Sequence, residues 1–141
     1  MKTFVILFFS FITFQQSTST IEGRWKLVSY DVIEMIRLSP GYVNGDDYTR
    51  SQIEKQFDLI LSKGEYNFEK EQLVYTDLEG DNIKYRNAEY SINADTLFIN
   101  EIDRDYKRKA FIRFINTDSL VLAPIIEGKV GNSNLIFNRE Q

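Results

Sequence analysis

The 141-residue sequence contains no cysteine and no histidine. Without cysteine there is no disulfide, no thiol nucleophile and no lipid-modified cysteine of the bacterial lipoprotein kind; without histidine there is no imidazole acid or base and no Ser-His-Asp triad. Zinc sites built from either residue are excluded with them. Proline is limited to two residues and glycine to seven, while 43% of the chain is hydrophobic and 27% charged, which is the balance of one ordinary folded core and not of a disordered or fibrous chain. Positive charge is also in short supply. Seventeen Lys and Arg face 21 Asp and Glu, for a net charge of -4, and this argues against nucleic acid as a partner, because phosphate affinity comes from clustered cations. Neither a Gly-rich phosphate loop nor a nucleophile elbow occurs.

Long apolar runs are missing too, except one. Phe4 to Phe14 is broken only by Ser10 and Thr13, follows Met1 and Lys2, and precedes the small residues Ser17, Thr18 and Ser19. It reads as a secretory signal peptide over residues 1–19, cut before Thr20. As a helix the run would reach about 16 Å, roughly half a bilayer core, which is too short for an anchor. The expectation is a secreted or periplasmic domain over residues 20–141, with no stable membrane insertion once the signal is removed.

What is abundant after Arg24 is the strand signal: short alternating runs rich in β-branched and aromatic residues, separated by Gly, Asn and Asp. Eight or nine strands are expected, at about 24–32, 56–62, 65–70, 72–78, 83–92, 96–102, 106–116, 119–126 and 133–139. Ile92-Asn93-Ala94-Asp95-Thr96-Leu97 recurs as Ile115-Asn116-Thr117-Asp118-Ser119-Leu120, and each copy reads as a hairpin turn, since Asn and Asp tolerate turn conformations while Ile and Leu bracket the loop. Successive hairpins make a meander or an up-and-down barrel. The exception is the long first connection, residues 33–56, in which Thr49 to Gln56 suggests a short helix with Thr49 as its cap. That connection is either a passive cover over one barrel end or a ligand-gating lid.

Gly23-Arg24-Trp25 opens the first strand and Arg139 closes the chain's last one. Together they resemble the Gly-x-Trp start and the basic residue near the C-terminus of lipocalins and shorter bacterial lipocalin-like domains. No Thr-Asp-Tyr motif of that family is found, and no disulfide pair exists. The resemblance implies an all-β, eight-stranded antiparallel up-and-down barrel, and a cargo held at the mouth or in the lumen. Gly23, Trp25 and Arg139 are read as structural: the indole closes one end, and a guanidinium stacked on it gains about 0.5 to 2 kcal/mol.

A barrel of eight strands is filled by side chains or holds one small ligand. If the two repeat copies face inward, alternation also puts Tyr90, Ile99, Phe111, Arg113 and Leu122 inside, joined by Tyr66, Phe68, Leu27, Leu59 and Leu61 from the other strands. The candidate ligand-binding set is therefore Tyr66, Phe68, Tyr90, Ile99, Phe111, Arg113 and Leu122. An inward Arg113 would bind a ligand carboxylate; its alternatives are an internal ion pair with Glu89 or Glu101, or a one-residue bulge that turns it outward.

Other constellations read as surface. Asp77-Leu78-Glu79-Gly80-Asp81-Asn82 has the composition of a calcium loop without its spacing and is expected to be a solvated turn, as is Asp46-Asp47. Tyr106-Lys107-Arg108-Lys109 is expected to be an exposed strand end balanced by Glu101, Asp103 and Asp105. Neither a metal nor a cofactor is implied. The function expected is binding of a small hydrophobic or amphipathic molecule, not catalysis. The competing readings are a filled barrel holding a protein partner in the cell envelope and, more distantly, a two-carboxylate enzyme drawing on Asp31, Glu89 and Glu101.

Overall fold

Alternating residues from Gly23 onward pair into a closed ring in the computed structural model, which describes residues 20–141; the expected signal peptide lies outside them. The strands are β1 (Gly23–Tyr30), β2 (Glu65–Glu69), β3 (Gln72–Glu79), β4 (Asn82–Asn93), β5 (Thr96–Glu101), β6 (Lys107–Ile115), β7 (Ser119–Ile126), the two-residue β8 (Lys129–Val130) and β9 (Leu135–Arg139). All pairs are antiparallel. Consecutive strands β1 to β7 are neighbours, β9 bridges β7 and β1, and β6–β7 pairing completes the ring; β8 only extends the end of β7. The barrel thus has eight strands in up-and-down order.

Both repeat copies are hairpin turns, made by different means. Between β4 and β5, Ala94 takes the left-handed conformation at φ 52°. Between β6 and β7, the Asn116 side-chain oxygen accepts from the backbone N–H groups of Asp118 and Ser119 at 2.9 and 2.7 Å.

Register fixes the inner face. The paired sets Trp25–Tyr66–Tyr75 and Phe68–Leu73–Ala88 point inward, as do Leu97, Ile99, Leu120, Leu122 and Phe137, and these side chains form the buried core. One end is sealed as the sequence suggests. Trp25 is fully buried with its indole N–H donating to Ile21 O at 2.8 Å, and the Arg139 guanidinium lies 4.1 Å from the ring centroid while donating to the carbonyls of Thr117, Glu22 and Thr20. Gly23 is required there: its φ is +127°, and a Cβ would stand 2.5 Å from Arg139 Nη1.

The expected strand over 56–62 is instead helix. The first connection folds as α1 (Asp31–Arg37), α2 (Pro40–Val43) and α3 (Asp47–Lys63). Phe57, Leu59 and Leu61 alternate like a strand, but Ile53, Phe57, Ile60 and Leu61 also repeat at helical spacing, and the helical period runs back unbroken to a cap. That cap is Asp46, not Thr49: its carboxylate accepts from Thr49 N–H at 2.7 Å. Leu59 and Leu61 are therefore helical residues, and Leu61 packs with Ile60 against the core.

Glu54 holds the three helices together. It accepts two bonds from Arg37, at 3.0 and 2.7 Å, and one from the Tyr42 hydroxyl at 2.5 Å. Those bonds, Arg37 first, pull its carboxyl from the usual 4.5 to about 2. The junction of α3 with β2 is just as close: Leu27 N–H donates to Gly64 O at 2.9 Å, and a Cβ on Gly64 would lie 2.6 Å from Leu27 Cβ and 2.5 Å from Ile60 O.

Gly64→Ala is accordingly expected to lower stability by about 1–3 kcal/mol by forcing α3 off β1, an effect chemical denaturation would measure; an unchanged midpoint would show that the contact yields freely. Because the folded pKa of Glu54 is depressed, its contribution is present above about 4.5 and is lost as pH falls toward 2. Amide exchange in α1 and α3, compared at each pH between wild type and Glu54→Gln, should converge as the pH drops through that window, and parallel profiles throughout would contradict the linkage.

Candidate functional site

The end of the barrel opposite Trp25 holds a cavity of about 280 Å³. Its walls come from β1 (Leu27, Tyr30), β2 (Tyr66), β5 (Ile99), β6 (Arg108, Ala110), β7 (Leu122, Pro124) and β9 (Leu135, Phe137), with Ile60 of α3 and the β3–β4 hairpin residues Leu78 and Ile83 closing one side. Packing of bulky rings sets its floor: Tyr66 lies 4.8 Å from Phe137 and 5.3 Å from Tyr75, centroid to centroid. Burial pushes the Tyr66 phenol pKa up, and the nearby Arg108 opposes that rise.

Of the seven expected site residues, the structure brings Tyr66, Ile99 and Leu122 together in this cavity. Phe68 and Tyr90 lie toward the sealed end, edge to face at 4.9 Å; Phe68 is fully buried, and Tyr90 borders a separate, wider groove beside Glu22, Glu71 and Glu89. Phe111 and Arg113 are on the other side of the sheet from the lumen. Ladder partners show why: Ile112 pairs with Leu122 and Phe114 with Val121, so Arg113 is an extra residue in β6. This one-residue bulge reverses the inner face, and before it the inward residues are Arg108, Ala110 and Ile112. Arg113 is exposed and donates from Nη2 to Gly131 O at 2.6 Å.

The arginine that faces the lumen is Arg108, and the expectation of an exposed basic strand end at Tyr106 to Lys109 fails for that one residue. Across the ladder it stands opposite Ile99. Its guanidinium carbon is 4.6 Å from the Tyr75 ring centroid and 5.8 Å from that of Tyr106, contacts that stabilise a cation. Lys109, next along the strand, points away and lies over Phe98 at 5.4 Å. A signal for Arg108 was present in the sequence: the alternation Arg108, Ala110, Ile112 is intact, and only the bulge five residues on hides it.

A network of charge rims the same end. Glu101 is buried, accepts from the Tyr75 hydroxyl and is gripped by Arg104 through Nε and Nη2. Arg104, then burial acting in the opposite sense, then Tyr75 set its carboxyl below the ordinary value. Asp77 takes Arg86 at 3.2 Å and Arg104 at 3.3 Å, and Glu79 takes Lys84 at 2.8 Å and Arg86 at 2.7 Å. In the acidic turn considered as a calcium loop, Asp77 and Glu79 are thus bonded to Lys and Arg, and Asp81 accepts from Gln56 Nε2 at 3.3 Å. Nor do the three enzyme candidates converge: Glu101 faces inward, Glu89 lies exposed on the outer face, and Asp31 accepts from Asn134 N–H and Nδ2 at 2.9 and 3.0 Å.

No protein-family model matches the chain, and no curated protein matches it. Among solved structures, a lipocalin-like protein from Bacteroides uniformis ATCC 8492 is similar at 17% identity with a TM-score of 0.50, over 84% of this chain and 97% of that one. An uncharacterized protein from Bacteroides eggerthii DSM 20697 is similar at 12% identity with a TM-score of 0.49, over 84% and 98%. With the ring closed by eight antiparallel strands and capped by Trp25 and Arg139, the likeness to the first of these establishes that the chain has a lipocalin-like fold.

Proposed function

We propose that residues 20–141 bind a small hydrophobic or amphipathic molecule in the open end of the barrel, acting as a secreted or periplasmic binding protein and not as an enzyme. The observation that carries this reading is the cavity of about 280 Å³, which interrupts an otherwise dense core and is walled mainly by Leu, Ile, Tyr, Phe and Pro side chains. The apolar run Phe4 to Phe14 supports export. Burial of about 300 Å² of ligand surface at ~25 cal/mol per Å² offsets ordering costs well enough for micromolar affinity.

A second reading, a protein-interaction module, draws on the apolar residues that α1, α2 and α3 leave exposed, notably Met35, Leu38, Val43 and Tyr48.

Titration calorimetry with 1-octanol separates the two. Wild type is expected to bind it, and Ala110→Phe, which puts a ring into the cavity from its β6 wall, is expected to weaken binding at least about tenfold while keeping the β-sheet circular-dichroism spectrum. Equal affinity in the two proteins would place the ligand elsewhere. Absence of binding to wild type, with a mass that grows with concentration, would favour the interaction module.

A further inference from the structure

Arg37 and Arg104 each set the edge formed by Nε and Nη2 against one carboxylate, and Arg86 divides the same edge between Asp77 and Glu79. Arg37 donates to Glu54 through Nε at 3.0 Å and Nη2 at 2.7 Å. Arg104 donates to Glu101 through the same two nitrogens, one to each carboxylate oxygen. Arg108 buries Nε and Nη2 and has no acceptor for either among the described residues. Buried donors without partners are rare and costly, all the more on a cation.

The surrounding charges do not satisfy it. Lys84, Arg86 and Arg104 are matched with Asp77, Glu79 and Glu101, and Glu65 at the cavity edge pairs with Arg24 at 3.3 Å. Both oxygens of Glu101, the carboxylate that acts on Arg108 electrostatically, already accept from Arg104, and one also accepts from Tyr75. Arg108 has no carboxylate partner among the described residues; Tyr75 and Tyr106 cover its faces, the Tyr66 hydroxyl lies beside it, and it lines the cavity together with Lys109.

We infer that the cargo is a compact amphiphile with one carboxylate, paired with the Arg108 guanidinium at the cavity wall, with its apolar body among Ile99, Ala110, Leu122 and Leu135. The inference rests on lumen binding as proposed above and adds the charge class of the ligand. A planar guanidinium without a carboxylate partner suits the two oxygens of a carboxylate. The cavity limits the size: at ~30 Å³ for each non-hydrogen atom, about 280 Å³ holds on the order of ten.

Octanoate and 1-octanol have that size and differ in the head group. In calorimetric titrations at neutral pH, wild type is expected to bind octanoate about tenfold to a hundredfold more tightly than 1-octanol. Arg108→Met should abolish that preference and leave 1-octanol affinity within a fewfold of wild type, whereas Arg108→Lys should keep part of it, since an ammonium has charge without the paired edge. Equal affinity of wild type for the two probes, both blocked by Ala110→Phe, would overturn the carboxylate assignment and leave lumen binding standing. Failure of both probes to bind would instead remove the lumen reading itself. Should Arg108→Met not fold, the carbon-13 carboxyl shift of octanoate on wild type decides: the bound acid should titrate below the free acid, and an unshifted titration would refute the ion pair.

Discussion

Closing eight strands on themselves fixes, for each strand, which alternate residues face the lumen, and in β6 that assignment changes once, at Arg113. The turn between β4 and β5 takes part in the change, since Asp95 O accepts from Ile112 N–H at 2.7 Å just before the extra residue. Below the bulge Ile115 faces in with Leu120; above it Ile112, Ala110 and Arg108 do. Without the bulge, the strand would send Lys107, Lys109, Phe111 and Arg113 inward and so bury three cations. With it, the lumen receives one cation, at the rim, over two aromatic rings. A single inserted residue thus decides both the apolar character of the barrel's middle and the identity of its arginine.

The two ends of the barrel handle their arginines in opposite ways. At the sealed end Arg139 donates from each of its three nitrogens to a backbone carbonyl, of Thr117, Glu22 and Thr20, and stacks on Trp25, so the guanidinium works as a rivet. At the open end Arg104 and Arg86 are also consumed, by Glu101, Asp77 and Glu79, which fastens the β3–β4 hairpin to the segment after β5. Among the described residues the buried side-chain atoms without a partner are Nε and Nη2 of Arg108 and Oδ1 of Asn134. The remaining hydrogen-bonding capacity of Arg108 is directed at a site and not at structure, on the proposed reading.

Much of this was legible in the sequence because barrel strands carry their faces in period two. The hairpin order and the turns at Asn93 to Thr96 and Asn116 to Ser119 follow from local patterns that the tertiary structure keeps, whereas the Gly23, Trp25 and Arg139 plug is what the family resemblance implies. What was not legible depends on register or on competing periods. Residues 56–62 satisfy a strand and a helix equally, and only the cap at Asp46 ten residues earlier tips the balance. Phe111 and Arg113 lie on the outer face because of the bulge, the alternative left open for Arg113; a bulge is a relation between two strands, and no residue of β6 alone announces it. Phe68 and Tyr90 do face inward, but which level of the barrel is open depends on ring packing summed over several strands.

That packing also explains where the free space lies. Trp25, Phe68, Leu73 and Leu97 fill the lower barrel, and Tyr66, Tyr75 and Phe137 form the next level, so volume is exhausted to about the middle. Above it the facing residues shrink: Ala110 pairs across the ladder with Leu97 on one side and Pro124 on the other, and Gly64 brings α3 against Leu27 with no side chain between. Dense packing normally leaves no void of this size. Here, small residues on β6 and β7 coincide with a helix held at fixed distance by its glycine contact and by the Glu54 clip. The space is therefore walled mostly by apolar side chains, with Glu65, Asp77, Arg108 and Lys109 making its polar edge.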